Sequence, residues 1–428
     1  MKKSRNRRKR ILLRLQHILT GAAVVCVAVI ALLLVNALRG NEISGPGRTA
    51  GSALFASGGE RFVEAGEEAR IMAEQQGEKA ENVGTESADS EQEKTDRENT
   101  TETGLSPEKL AAQEGVPRIR IVLDPGHGGP GTTDEQELGA SYRDTYEKYL
   151  TLKIAKAAGT ELSNYGNVEI LYTRENDKAL TLKERAAYAR SVGADYLISL
   201  HLNASAEHNF FGSEVFTSAF GSYYARGKGI GDQVLAQLMG DGFVSKGVKT
   251  RLGSKGADYY GIIRESRALG IPAIIIEHGY MDQDEDWARM DTDEKLAALG
   301  RCDATGIAAY FGLKKGENQA ELPEIDRKEP ASSPVRPDTT EPVNVYYTLT
   351  HRDAENVRIT LHAEEPESRV MYYDYSTDSG TTYSRLFLWP EGSGNDITFT
   401  LPATASQEET LVIRAYNNYE LRTEAERR

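Results

Sequence analysis

From residue 118 onward, short apolar runs alternate with stretches whose apolar residues recur at three- and four-residue spacing. The runs at 119–123, 168–172, 196–200 and 273–276 are almost wholly apolar, so they predict strands covered on both faces. Around them 149–162, 182–192, 229–244 and 294–311 carry helical periodicity, and Thr181 with Glu184 has capping-box spacing at the start of the second helix. Strands alternating with helices predict an α/β domain: a mostly parallel sheet with helices on both faces. After residue 342 the pattern shortens. VNVYYTLT, VRITLHA, RVMYYDYS, ITFTLP and LVIRAYN, separated by turn-formers such as DSGTT and GSGND, predict a small all-β sandwich.

The remaining segments are of two other kinds. Residues 18–38 hold nothing more polar than Thr20 and Asn36, and as a helix they are long enough to cross a hydrocarbon layer about 30 Å thick. Residues 1–17 carry eight Lys/Arg and no acid, so the rest of this chain of net charge −14 holds −22. A basic flank before an apolar span predicts a transmembrane signal-anchor, with 1–17 cytoplasmic and the bulk of the chain extracytoplasmic, outside the cell membrane. A cleaved signal is the competing reading; its apolar core is usually about 7–15 residues, and it too exports the body. Residues 39–116, rich in Glu, Gly, Ser and Thr, predict a disordered acidic stalk, and 315–342, with prolines and charges, a linker. The two folded units are thus expected at 117–314 and 343–428. Cys26 lies in the apolar span and Cys302 in a predicted helix, so no internal disulfide is expected. An acidic body is not expected to bind nucleic acid.

Candidate chemistry sits where polar residues interrupt the strands. IVLDPGHGG ends one with Asp124 and His127, YLISLHLNAS another with His201 and Asn203, and IPAIIIEHG a third with Glu277. In parallel sheets the carboxyl ends of strands border the ligand crevice, so these distant residues are expected to converge. Glu147 precedes Leu150 and Ile154 on the inward face of its helix. An inward acid needs a partner: a metal would serve, and so would helix capping, because Asp144 and Glu147 also have capping-box spacing. Two neutral imidazoles and a carboxylate form the donor set of an open catalytic zinc site, with Glu277 as a nearby proton acceptor.

Residues 119–312 resemble the zinc-dependent N-acetylmuramoyl-L-alanine amidases in IVLDPGHGG, YEKYLTLKIA, ILYTRENDKALTLKERAAYARSVGADYLISLHLNAS and IPAIIIEHGYMDQDED, in order and spacing. The resemblance implies that His127, Glu147 and His201 bind one Zn2+ per catalytic domain and that Glu277 is the catalytic glutamate. It further implies a peptidoglycan hydrolase cleaving the amide between N-acetylmuramic acid and L-alanine. The chain departs from the family in the longer stretch PGTTDEQELGASYRDTY, which makes Glu135 and Glu137 rival ligands and 132–144 a candidate gating loop. It departs again at His278, where a small residue is common.

Several residues carry two readings. Arg174, Asp177 and Arg185 suit structural ion pairs. Asn203 suits orientation of His201 or contact with substrate. YYGIIRESR, with Arg264, suits a peptide groove or a solvated strand edge. His208, His351 and His362 lack companions in sequence, Cys302 suits a buried inert position, and the C-terminal tyrosines suit packing or sugar binding. A catalytically silent wall-binding protein or a zinc hydrolase of another wall-derived amide are the rival functions. For the C-terminal domain, a wall polymer and a protein partner are equally open.

Overall fold

The computed structural model describes residues 118–131, 135–322, 334–353, 355–403 and 410–428. The expected anchor and stalk lie outside the described residues; among the described residues no helix is long and apolar enough to cross a membrane.

The first domain runs β1 (Ile119–Pro125), α1 (Glu135–Leu138), β2 (Ser141–Tyr142), β3 (Thr145–Tyr146), α2 (Glu147–Leu162), β4 (Val168–Tyr172) and α3 (Leu182–Ser191). It continues with β5 (Tyr196–Asn203), β6 (Ser213–Thr217), α4 (Gly221–Gly240), β7 (Ser245–Lys249), α5 (Gly261–Ala268), β8 (Ala273–Tyr280), α6 (Asp284–Trp287) and α7 (Asp293–Phe311). Six strands make one sheet in the order β4-β1-β5-β8-β6-β7. The first four are parallel, whereas β6 runs antiparallel to β8 and carries β7 parallel to itself, so the sheet is mixed.

Burial follows the two-residue period of a strand. Ile121, Leu123, Ile198, Leu200, Ile274 and Ile276 pack with Ile154 of α2, Val234 of α4 and Ile307 of α7. Their neighbours Val122, Leu197 and Ile275 pack on the other face with Ala189 of α3 and Ile262 and Ile263 of α5. Only a nearly continuous apolar run can serve both layers, which is why these strands stand out in the sequence. The capping box also forms: Thr181 Oγ1 accepts from Glu184 N, and the Glu184 carboxylate accepts from Thr181 N at 2.8 Å.

The differences from expectation have physical causes. The strands SEVFT and SKGVK are too polar to stand out, yet β6 is buried along its whole length. Its polar groups are met by distant partners: Ser213 Oγ donates to His278 O at 2.6 Å, and Glu214 accepts from Asn203 and Lys249. YYGIIRESR is not a strand edge, because α5 buries Ile262, Ile263 and Ser266 on one helical face. The helix expected at 229–244 runs instead from Gly221 to Gly240. Its opening turns are glycine-rich, which weakens helix propensity. Those glycines seat it on the sheet: a Cβ on Gly227 would meet Thr217 Oγ1 at 1.8 Å. Cys302 is only half-buried, with burial pushing its thiol up to about 12.

The C-terminal region holds β9 (Val343–Arg352), β10 (Asn356–Glu364), β11 (Val370–Ser376), β12 (Phe387–Leu388), β13 (Asp396–Pro402), β14 (Val412–Asn417), β15 (Arg422–Glu424) and β16 (Glu426–Arg427). They form two four-stranded sheets, β13-β10-β9-β16 and β12-β11-β14-β15. Val357, Ile359 and Leu361 meet Ile413 and Ala415 in a common core. The alternate positions Tyr372 and Tyr416 leave the other face of the second sheet and pack with Phe210, Phe211 and Tyr280 of the first domain. These tyrosines are packing residues, with no exposure to offer a sugar.

Candidate metal centre

β1 delivers the first candidate ligand through a loop that no apolar packing could hold. After Pro125 the chain turns with His127 at φ 60°, Gly128 at 114° and Gly129 at 137°, backbone angles that suit glycine and strain other residues. The loop's carbonyls need donors, and buried cations provide them. Arg174 Nε donates to Pro125 O at 3.0 Å and its Nη2 to Gly126 O at 2.7 Å; Arg185 Nη2 donates to His127 O at 2.6 Å; Lys148 Nζ donates to Gly129 O at 2.6 Å. Asp177 joins by accepting from Gly129 N at 2.8 Å and Lys148 Nζ at 2.9 Å. Arg174, Asp177 and Arg185 therefore shape the loop that presents His127.

Asp124, 1% exposed, is the anchor of this frame. It accepts from Arg185 Nη1 at 2.7 Å and Ser199 Oγ at 2.8 Å, and also from Thr173. Burial alone would raise its carboxyl, but the Arg185 charge and these donors hold it below its ordinary value. Arg185→Ala leaves that carboxylate buried without its cation. We expect a stability loss of about 3–5 kcal/mol, read by urea unfolding; a loss under about 1 kcal/mol would show the pair to be dispensable.

Glu147 opens α2 but does not cap it: the residue in the N-cap position is Tyr146, without a side-chain bond, and Asp144 sits in the β2–β3 turn at φ 63°. The carboxylate points inward instead. Its Oε2 lies 3.1 Å from His127 Nε2 and accepts from Ala140 N at 2.9 Å; its Oε1 lies 2.9 Å from His201 Nδ1 and accepts from Leu202 N at 3.0 Å. Burial opposes its ionisation, yet the charge and hydrogen bonds of the two histidines hold it well below the usual carboxylate range. His201 is pushed down by burial, with Glu147 opposing, which favours the neutral ring a metal needs.

These three residues fit a metal. One donor atom from each lies within 4.8 Å of the others, and the two imidazole–carboxylate distances of 3.1 and 2.9 Å are near the roughly 3.4 Å separation that tetrahedral bonds of about 2.0–2.1 Å require. The outer partners fit as well. Ser199 Oγ donates to Asp124, so its lone pair is left to accept from His201 Nε2 at 3.1 Å, and this turns the Nδ1 lone pair towards the centre. Gly126 is packed against that ring: a Cβ there would lie 2.3 Å from His201 Cε1. Gly126→Ala is expected to displace His201 and lower bound zinc, at a stability cost of about 1–3 kcal/mol. Metal analysis beside a melting curve tests this, and full zinc occupancy would contradict it.

Glu277 stands beside this group. In the parallel β5–β8 pairing it is the register partner of His201, and in the antiparallel β6–β8 pairing it is the partner of Glu214. The strand runs on to Tyr280 rather than ending at Ile276. His278 faces the other side, fully buried, with Nε2 2.9 Å from Asp303 Oδ2 and Nδ1 2.9 Å from His201 O. Burial would lower its pKa, but Asp303 raises it.

The other expectations divide. Asn203 donates to Glu214 Oε1 at 2.7 Å, so Glu214 and not His201 is its partner. Arg264 Nη1 donates to Tyr259 O at 2.9 Å and Asp258 O at 3.2 Å, bracing that loop with its side chain 34% exposed. Glu137 turns away from the histidines to accept from Gly131 N at 2.5 Å, and Glu135 opens the short α1. His208 and His362 do have companions: His208 Nδ1 is 2.7 Å from Asp282, and His362 lies 2.9 Å from Asp396 and stacks on Tyr346. The side chain of His351 lies outside the described residues. Sequence reasoning missed Glu214, Lys246 and Lys249; their trace is a lone acid in SEVFT and two inward lysines in SKGVK.

The fold and site describe an α/β domain with a His-Glu-His group that fits a metal ion. The N-acetylmuramoyl-L-alanine amidase family model matches residues 121–309. The N-acetylmuramoyl-L-alanine amidase CwlM of Bacillus licheniformis is 31% identical over 198 residues, 46% of this chain and 70% of that one. The sporulation-specific N-acetylmuramoyl-L-alanine amidase of Bacillus subtilis (strain 168) is likewise 31% identical over 46% of this chain and 70% of its own. Among solved structures, the amidase AmiC2 of Nostoc punctiforme aligns at 27% identity over 46% of this chain and 98% of its own, with a TM-score of 0.39. This chain belongs to the N-acetylmuramoyl-L-alanine amidase family. Members of that family are typically zinc-dependent.

Proposed function

We propose that the chain hydrolyses peptidoglycan at the amide joining the lactyl group of N-acetylmuramic acid to L-alanine, with one zinc ion held by His127, Glu147 and His201. The observation that carries this is the meeting of those three residues beside Glu277, one strand away. Zinc bound there supplies Lewis acidity to the scissile carbonyl and to the attacking water. Glu277 takes the proton of that water as oxygen attacks the carbonyl carbon, then gives it to the alanine nitrogen as the C–N bond breaks. The products are a free lactyl carboxylate on the glycan and a stem peptide with a free amine. Asn203 and Arg264 are the proposed substrate contacts, and the partial exposure of Arg264 supports its part in this.

The rest of the organisation belongs to the same proposal. The basic flank and apolar run of residues 1–38 support a single-pass anchor that keeps the enzyme at the outer membrane face. The paired sheets with a shared core support an immunoglobulin-like sandwich at 343–428. A wall polymer or a protein partner is its proposed ligand.

Mass spectrometry of purified peptidoglycan digested by the zinc-loaded protein tests the reaction. The expected result is free stem peptides beginning with L-alanine and glycan with intact lactyl groups. Cleavage at another amide would move the assignment to a different wall-derived substrate. Intact muropeptides from a folded, zinc-loaded protein would point to a silent binding module.

A further inference from the structure

A buried charge cluster lies on the far side of Glu277 from the metal group, and the carboxylate that completes it, Glu420, comes from the C-terminal domain. Lys246 is fully buried, and Lys249 and Glu214 are each 3% exposed. Lys249 donates to Glu214 and to Asn418 O, and Lys246 donates to Tyr280 Oη and to the Glu420 carboxylate. Tyr280 also donates to Glu420. Two lysines and two glutamates balance, but only while Glu420 is docked. The Glu420 side chain is 31% exposed, but Lys246 is fully buried, and without Glu420 its nearest carboxylate is Glu214 at 3.9 Å, so a buried cation loses its direct partner, a strongly disfavoured state.

The turn that delivers Glu420 is built to hold it. Asn417, fully buried, accepts from Tyr419 N at 2.9 Å and Leu421 N at 3.0 Å, and its Nδ2 donates to Asp338 at 2.8 Å. Glu420 sits at φ 70°, where glycine or asparagine would be easier. Asn418 Nδ2 donates to Lys246 O at 3.1 Å, tying the turn to β7 as well. Around it Tyr372 and Tyr416 close against Phe210 and Phe211.

The cluster leads directly to the reaction site. Glu214 is the cross-strand partner of Glu277, and its Oε1 accepts from Asn203, two residues beyond His201. We infer that the C-terminal domain is a positioning element of the amidase site: Glu420, through Lys246, Lys249 and Glu214, holds β6 against β8 and so fixes Glu277 relative to His201. Glu420 touches neither metal ligands nor substrate. It acts through the residues between, and the inference rests on the role proposed above for Glu277.

The full chain carrying Glu420→Gln tests it. Because small displacements of a reacting group can cost about a hundredfold, kcat is expected to fall roughly ten- to a hundredfold, with KM within about twofold and zinc content unchanged. Amide hydrogen exchange in 213–217 and 273–280 should quicken. Adding Lys246→Met rebalances the cluster and should return kcat towards wild type, while the exposed Glu426→Gln should change nothing. Wild-type kcat per folded, zinc-loaded molecule in Glu420→Gln overturns the inference, even if the melting temperature drops, because that is the mark of interdomain cement alone. If Glu420→Gln does not fold, Glu420→Asp replaces it, and wild-type kcat with unchanged exchange there overturns the inference equally. A wild-type protein without turnover sinks the proposed function instead, and the exchange rates alone then judge the docking.

Discussion

Glu277→Gln retains its zinc and loses turnover by roughly a hundred- to ten-thousandfold, the range that removal of a general base costs. Glutamine keeps the shape and hydrogen-bonding reach of the side chain but cannot take up a proton at neutral pH. The three-residue group that fits the metal does not include Glu277, so metal content should stay at one equivalent. Substrate binding should change little, and the loss should fall on kcat. Rates of stem-peptide release beside metal analysis by mass spectrometry check this. Loss of zinc would make Glu277 a ligand, and an undiminished rate would remove it from the mechanism.

Glu147→Ala has the second large effect, and it falls on the metal. The carboxylate lies between both imidazoles and accepts from the backbone N–H groups of Ala140 and Leu202. Alanine removes a ligand and strands these donors, the buried one on Leu202 at about 1–3 kcal/mol. Zinc affinity should drop by more than the roughly 10–100-fold that loss of an outer partner costs, taking activity with it. Glu147→Gln keeps the size and one of the two acceptor oxygens, so it should lose less stability than the alanine variant yet bind zinc poorly. Chelator competition and urea unfolding read the two quantities. Full zinc affinity in either variant would return Glu147 to a purely structural role.

Much of this protein is legible from residue order because burial on two faces leaves a mark. A strand such as β1 must be apolar along its buried stretch to serve both layers, so Ile121, Val122 and Leu123 announce it, and the polar residues that follow, DPGHGG, announce the edge of the sheet. The same logic exposes His201 and Glu277, and the local hydrogen bonds of Thr181 and Glu184 can be read from their spacing alone.

What the order of residues could not settle is wherever a polar group is satisfied from far away. Glu147 has the spacing of a cap and of a ligand; the choice is made by His127 and His201, which reach it only when β1 and β5 lie side by side. β6 and β7 do not stand out in the sequence because their acid and lysines find partners in each other and in Glu420, some 170 residues on. Residue types, period and motif spacing thus determined the layered domain and its reacting groups. The pairing of buried charges across domains was decided by tertiary structure alone, because a Coulomb partner is chosen by distance in space and leaves no period in the chain.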